Sequence, residues 1–257
     1  MTTALERRLV VDGTYNIRDL GGYATAEGET RWRRLLRADG LQRVTPDGMT
    51  ILRQAGLRRV IDLRHGHELK AAPNPFAKEA DVAYLHVSLF EGLAPRARTV
   101  NGGENGNVLL DLYIQALSTR GAAIRAVLEA IAGEGDGVVL FHCTAGKDRT
   151  GIIAGLLLAN AGVPLETILA DYALTGELIA PLIAELVADA ETRGADIEAF
   201  RKVLGSDPAV MAAMFDHIAA TYGDVPSYLK RIGLDDATLG RLRSRLLDDE
   251  TSTENRE

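Results

Sequence analysis

Residues 138–141 (Val-Val-Leu-Phe) are apolar without alternation, and residues 150–161 are apolar on every side of a helical wheel. A strand with no polar face must be covered on both sides, and a helix with none must be buried. Between them lies His142-Cys143-Thr144-Ala145-Gly146-Lys147-Asp148-Arg149-Thr150-Gly151. Strand, loop and helix in this order predict a mostly parallel sheet covered by helices, and hence an α/β protein.

The flanking sequence extends this reading. Residues 23–25 and 30–37 flank Glu27-Gly28 and predict an N-terminal hairpin. Thr45-Pro46 has the form of an N-cap and first helical residue, with Gly56 as the stop. Residues 59–63 and 84–89 read as strands, and residues 94–106, rich in Gly, Asn and Arg, as a mobile loop. Ile124, Val127, Leu128 and Ile131 fall on one helical face, and 133–137 breaks it. Leu178, Ile179, Leu182, Ile183, Leu186 and Val187 make one apolar stripe. Met211, Met214, Phe215 and Ile218 make another, and Leu239, Leu242 and Leu246 a third. With no linker in view, residues 1–257 are expected to form one domain of about four sheet strands plus the hairpin, with a disordered tail at 248–257.

Composition narrows the function classes. One cysteine permits neither an internal disulfide nor a cysteine-rich zinc site. His65-x-His67 has no third ligand at metal spacing, so no metal and no cofactor is expected. A net charge of −7 argues against nucleic acid as a partner. No apolar run reaches the ~18 residues of a membrane span, so no stable membrane insertion is expected. The first residues lack the apolar core of a secretory signal. The expected location is the cytoplasm, with export by another route left open. Nothing in the sequence sets an oligomeric state.

The loop carries the chemistry. A chain that leaves a strand and starts a helix aims unpaired backbone N–H groups at one point, and the helix dipole adds positive potential. The backbone of Thr144, Ala145, Gly146, Lys147 and Thr150 is expected to line this anion nest, with Gly146 permitting close approach. Arg149 offers a planar fork for two phosphate oxygens. The same field favours the thiolate of Cys143. Thr150 is placed to bond the sulfur. The expected reaction is attack on a phosphoester, giving a phosphocysteine that water hydrolyses.

Cys-x5-Arg followed by Thr resembles the signature loop of the protein tyrosine phosphatase superfamily. Asn16-Ile17-Arg18-Asp19-Leu20-Gly21-Gly22-Tyr23, Asp62-Leu63-Arg64 and Gly146-Lys147-Asp148-Arg149 are similar to elements of the atypical bacterial tyrosine/lipid phosphatases. So is Tyr222-Gly223-x-Val225-x-x-Tyr228-Leu229. The resemblance spans about residues 12–247. It implies a four-stranded parallel sheet, a helical lid at about 165–222, and phosphorylated proteins or phosphoinositides as substrates.

The leaving group needs a proton. Trp32 is followed by Arg33-Arg34, so the Trp-Pro-Asp acid of the eukaryotic enzymes is missing. The resemblance points to Asp148, whose protonated form the like charge of thiolate and phosphate would favour. Asp62, at a strand end, is the alternative. Lys147 would add a cation at the mouth, where a polyanionic substrate would meet it. Arg64, Arg18 and Asp19 are expected to brace the site, and His142 to bond the loop backbone. Arg31, Arg33 and Arg34 read as a solvated face of a strand.

Overall fold

The computed structural model describes residues 4–93, 107–192, 194, 197–198 and 204–247. The expected loop at 94–106, the tail at 248–257 and part of the 165–222 segment lie outside the described residues.

The strands are β1 (Arg18–Asp19), β2 (Ala24–Thr25), β3 (Gly28–Glu29), β4 (Leu35–Ala38), β5 (Leu57–Asp62), β6 (Ala83–His86) and β7 (Val138–His142). The main sheet has the order β1-β4-β7-β5-β6. Its last four members are parallel, and β1 is an antiparallel edge. Around the sheet lie α1 (Ala4–Arg7), α2 (Pro46–Gln54), α3 (Gly66–Ala71), α4 (Val108–Thr119) and α5 (Gly121–Ala132). Then come α6 (Asp148–Asn160), α7 (Leu165–Leu178), α8 (Ala180–Thr192), α9 (Pro208–Tyr222), α10 (Val225–Arg231) and α11 (Asp236–Leu246).

The run at 138–141 is apolar because its alternate residues enter two different cores. Val138 and Leu140 join Leu36, Leu52, Leu57 and Phe76 on one face. Val139 and Phe141 join Leu35, Ile61 and the residues of α4, α5 and α6 on the other. Every residue of β7 is buried. Helix α6 lies in the larger core, where Ile152, Ile153, Leu156, Leu157 and Leu158 are almost fully buried. Thr45 caps α2 by accepting from the Gly48 amide, and Pro46 follows at the first helical position. Met211, Met214 and Ile218 are buried in the same core as α6.

Two expectations need correction. The hairpin is shorter and its turn lies one residue earlier, since β2 pairs with β3 across Ala26-Glu27. Residues 35–37, assigned to its second arm, belong with Ala38 to the main sheet. Arg31, Arg33 and Arg34 are therefore not strand residues. The chain turns there, with Arg33 at φ 56, and Asp19 holds the turn by accepting from the Arg33 amide at 2.8 Å. The polar stretch after β5 forms a helix. Glu68 accepts from the His65 amide at 2.7 Å, satisfying a free N–H and starting α3 at Gly66.

The N-terminal element is fastened to α7 by charge. Arg18 donates to Asp171 Oδ1 at 2.7 Å, and Arg37 donates to Oδ2. Tyr23 donates to Oδ1 at 2.8 Å. Burial alone would raise the Asp171 carboxyl, but Arg18 and Arg37 hold it far below the ordinary carboxylate range. Removing one member of a buried ionic cluster strands the others. Asp171→Ala leaves two buried guanidinium groups without their counter-charge. It is expected to cost about 3–5 kcal/mol of unfolding free energy, measured as a lower urea midpoint. An unchanged midpoint would mean that the cluster contributes nothing net.

Candidate active site

All four parallel strands end on the same side, and the expected site residues gather there. Strand β7 delivers His142 and Cys143, β5 delivers Asp62, and β4 leads into Asp39. The loop closes over Gly146, whose φ of +67 is left-handed. A Cβ there would stand 2.5 Å from the Ala38 carbonyl oxygen, so only glycine fits the position.

Three successive carbonyls of the loop are tied outward. Thr144 O accepts from the Gly40 amide at 2.9 Å, and Ala145 O accepts from Asn16 Nδ2 at 3.0 Å. Gly146 O accepts from Arg37 Nη2 at 2.7 Å. With these carbonyls facing away, the amides of the turn and of the first turn of α6 are left for an anion at its centre. Cys143 is 2% exposed at the start of this loop. Thr150 Oγ1 is buried with no hydrogen-bond partner, so the expected bond to sulfur is not made here.

Asp148 stands at the first position of α6. Its Oδ1 accepts from the Tyr113 hydroxyl at 2.5 Å, and that hydroxyl is 2.9 Å from Tyr172 Oη. Burial first, and then the Asp148 charge, push the Tyr113 hydroxyl well above the ordinary tyrosine value. Tyr113 therefore remains a donor. Lys147 differs from the expectation of a cation at the mouth. It is 2% exposed, its Nζ donates to Gly205 O at 2.9 Å, and it lies 3.4 Å from Asp148.

The bracing residues sit behind the loop. His142 is fully buried with Nδ1 3.0 Å from Cys143 O. A carbonyl oxygen only accepts, so Nδ1 carries the hydrogen. His142 Nε2 is 2.8 Å from Asn74 Nδ2 and 3.3 Å from Asp62 Oδ2. Asp62 also accepts from Arg64, Asn74 and Tyr84. Burial would raise its pKa, but His142 and Arg64 drive it far below the carboxylate range. Arg64 bonds Asp62, Ala72 O and Gln42; it supports the strand end rather than touching the loop. Arg18 is occupied by Asp171, and Asp19 by the amides of Gly21 and Arg33.

A family model described as the tyrosine phosphatase family matches residues 9–248. The chain belongs to the tyrosine phosphatase family. That membership makes it a protein-tyrosine phosphatase. It is 34% identical to a tyrosine-protein phosphatase of Nostoc commune, over 82% of this chain and 73% of the relative. It is 30% identical to the triple specificity protein phosphatase PtpB of Mycobacterium tuberculosis, over 91% of this chain and 97% of the relative. A putative tyrosine-protein phosphatase of Cupriavidus necator is 31% identical over 86% of this chain and 82% of its own length.

The phosphatase holds its arginine with a residue that the sequence reading missed. Glu68 accepts from Arg149 Nη1 at 2.6 Å and from Nη2 at 3.2 Å, and Thr144 Oγ1 donates to it as well. Arg149 also lies over the Phe90 ring, 5.8 Å from its centroid. Burial would lower the arginine, but Cys143 and Glu68 hold it above its ordinary value. The one local clue was a glutamate three residues after His65, at a helix start. The partnership with Arg149 spans 81 positions and leaves no trace in sequence spacing.

Burial raises the Glu68 carboxyl, but Arg149, Thr144 and the His65 amide outweigh it and lower it from 4.5 to about 2. A depressed folded value stabilises the protein above the unfolded value and is lost as pH falls toward the folded one. Glu68→Gln is expected to lower stability near pH 7. The gap from the wild type should close between about pH 4.5 and about pH 2. Urea unfolding of both proteins across that range tests this; a pH-independent gap would show that the Arg149 contact contributes nothing.

Proposed function

We propose that the phosphatase hydrolyses phosphotyrosine in proteins through a phosphocysteine, with Cys143 as nucleophile, Arg149 as phosphate clamp and Asp148 as general acid. The Cys143 sulfur forms a bond to phosphorus while the ester P–O bond breaks. The proton of Asp148 passes to the leaving phenolate. Water then attacks the phosphorus and gives a proton to Asp148. The P–S bond breaks, and phosphate and thiolate are released. The loop amides and Arg149 stabilise the charge on the transferring group.

The observation that carries this reading is the first turn of α6. Asp148 and Arg149 are adjacent in one helix start beside Cys143, and Asp148 is only partly buried, with a side-chain exposure of 25%. Asp62, the alternative acid, is fully buried, held as a carboxylate and engaged by four side chains. Its hydrogen-bond partners and the neighbouring His142 and Arg64 favour its carboxylate form, which argues against it as the proton donor. The choice of phosphotyrosine rests on Lys147. The case for a phosphoinositide or inositol phosphate leaned on a second cation at the mouth, and Lys147 is turned inward. Phosphoserine and phosphothreonine use the same steps, with a worse leaving group.

Purified protein is expected to hydrolyse p-nitrophenyl phosphate without added metal. Cys143→Ser should reduce kcat by at least about 10³-fold, and undiminished turnover would sink the phosphocysteine. Asp148→Asn should slow an aryl ester of a poor leaving group by about 10²-fold or more, and p-nitrophenyl phosphate much less. Equal slowing of both esters would remove Asp148 as the acid. In a panel of phosphotyrosine, phosphoserine and phosphothreonine peptides beside phosphoinositides, the highest kcat/KM is expected for phosphotyrosine. A phosphoinositide in first place would reverse the substrate assignment.

A further inference from the structure

Helices α4 and α7 each send one buried tyrosine to the first turn of α6. Tyr113 is 0% exposed and Tyr172 1%. The Tyr113 hydroxyl donates to Asp148 Oδ1 at 2.5 Å and stands 2.9 Å from Tyr172 Oη. A phenol has one hydrogen to give. Tyr113 spends its own on Asp148, so Tyr172 is the donor between the two rings. The direction of the chain is thereby fixed, from Tyr172 to Tyr113 to Asp148. Helix α6 makes room for it at Gly151, where a Cβ would stand 3.0 Å from Tyr172 Cδ2.

This chain orients a carboxyl; it does not supply the proton. Burial first, and then the charge of Asp148, push both hydroxyls above the ordinary tyrosine value, so both stay protonated. Lys147 Nζ reaches the same oxygen and lies 3.4 Å from Asp148 Oδ1. In a neutral carboxyl one oxygen carries the hydrogen and the other only accepts. An oxygen that accepts from a phenol and faces an ammonium is the accepting one. The hydrogen is left to Oδ2.

We propose that Tyr113, backed by Tyr172, is the positioning residue of the general acid, holding Oδ1 so that Oδ2 carries the transferred proton. The inference rests on the assignment of Asp148 as the acid. In the first step the Oδ2–H bond breaks, the proton passes to the leaving oxygen, and the ester P–O bond breaks. The charge left behind spreads over both carboxyl oxygens. The Tyr113 bond then has an anionic acceptor and strengthens. An interaction that is stronger in the transition state than in the ground state raises kcat rather than affinity. In the second step the attacking water returns a proton to Oδ2. The more a leaving group needs the proton, the more Tyr113 contributes.

Steady-state kinetics of the full chain with phenyl phosphate and p-nitrophenyl phosphate test the proposal, read as the ratio of the two kcat values. A variant that folds less completely loses both activities alike, so the ratio reports on the acid and not on stability. Tyr113→Phe is expected to slow phenyl phosphate at least about fivefold more than p-nitrophenyl phosphate, with KM changed by less than about twofold. Tyr172→Phe should move the ratio in the same direction by a smaller factor. In an Asp148→Asn background, Tyr113→Phe should leave the ratio where Asp148→Asn put it, because the two residues act as one unit. An unchanged ratio in both tyrosine variants, or a further fall in the Asp148→Asn background, would overturn the positioning role. Asp148→Asn alone separates the two possible failures. If it alters the ratio and the tyrosine variants do not, the acid stands and the role of Tyr113 falls. If it leaves the ratio unchanged, the acid assignment falls and takes the role of Tyr113 with it.

Discussion

Asp171 places one carboxylate where two buried arginines need it, and the catalytic loop depends on the result. Arg37 spends Nη1 on Asp171 and Nη2 on the Gly146 carbonyl. The carboxylate therefore aims the guanidinium, and the guanidinium turns a loop carbonyl away from the anion nest. Asn16 does the same for Ala145 while its own Oδ1 accepts from Arg18, which is also held by Asp171. Such a cluster repays its desolvation only if every member is satisfied. What it fixes is direction. Backbone amides bind phosphate only if their carbonyls are held elsewhere, and here the holding is done by residues far from Cys143 in sequence.

Helix α7 reaches the chemistry by a second route. Asp171 faces the back of the loop, and its neighbour Tyr172 meets Tyr113, which donates to Asp148. One helix thus supports both the phosphate nest and the acid. Lys147 links the same region to Gly205, just ahead of α9. A shift of α7 would disturb loop carbonyls and acid together, so the site is built to be formed or unformed as a unit rather than residue by residue.

What was legible in the sequence was local. The strand-loop-helix run shows because β7 feeds two cores and α6 is buried all round. The α2 cap shows because Thr45-Pro46 is a nearest-neighbour signal. The fate of residues 35–38 was not legible. A short apolar segment after a hairpin can pair with either arm or with a distant strand, and pairing with β7 is decided by tertiary contact. Glu68, Tyr113 and Asp171 were missed for a related reason. Each acts through a partner dozens of positions away, and each looks like an ordinary helix residue on its own. Lys147 was misplaced because an ammonium beside a phosphate loop reads as a ligand, whereas a carbonyl and a carboxylate within reach turned it inward.

The overall charge of −7 conceals how the arginines are used. Arg18, Arg37 and Arg64 are almost fully buried, each with a carboxylate in hydrogen-bond reach. Arg149 has Glu68. In each of these four cases the guanidinium is pre-aimed by an acid, so that it arrives at the loop, or at the groups behind it, with its geometry already fixed. Arg245, at 7% exposure, is held differently: its guanidinium donates to the carbonyls of Glu134, Gly135, Gly137 and Arg34. Backbone dipoles orient a guanidinium but carry no net charge to cancel it.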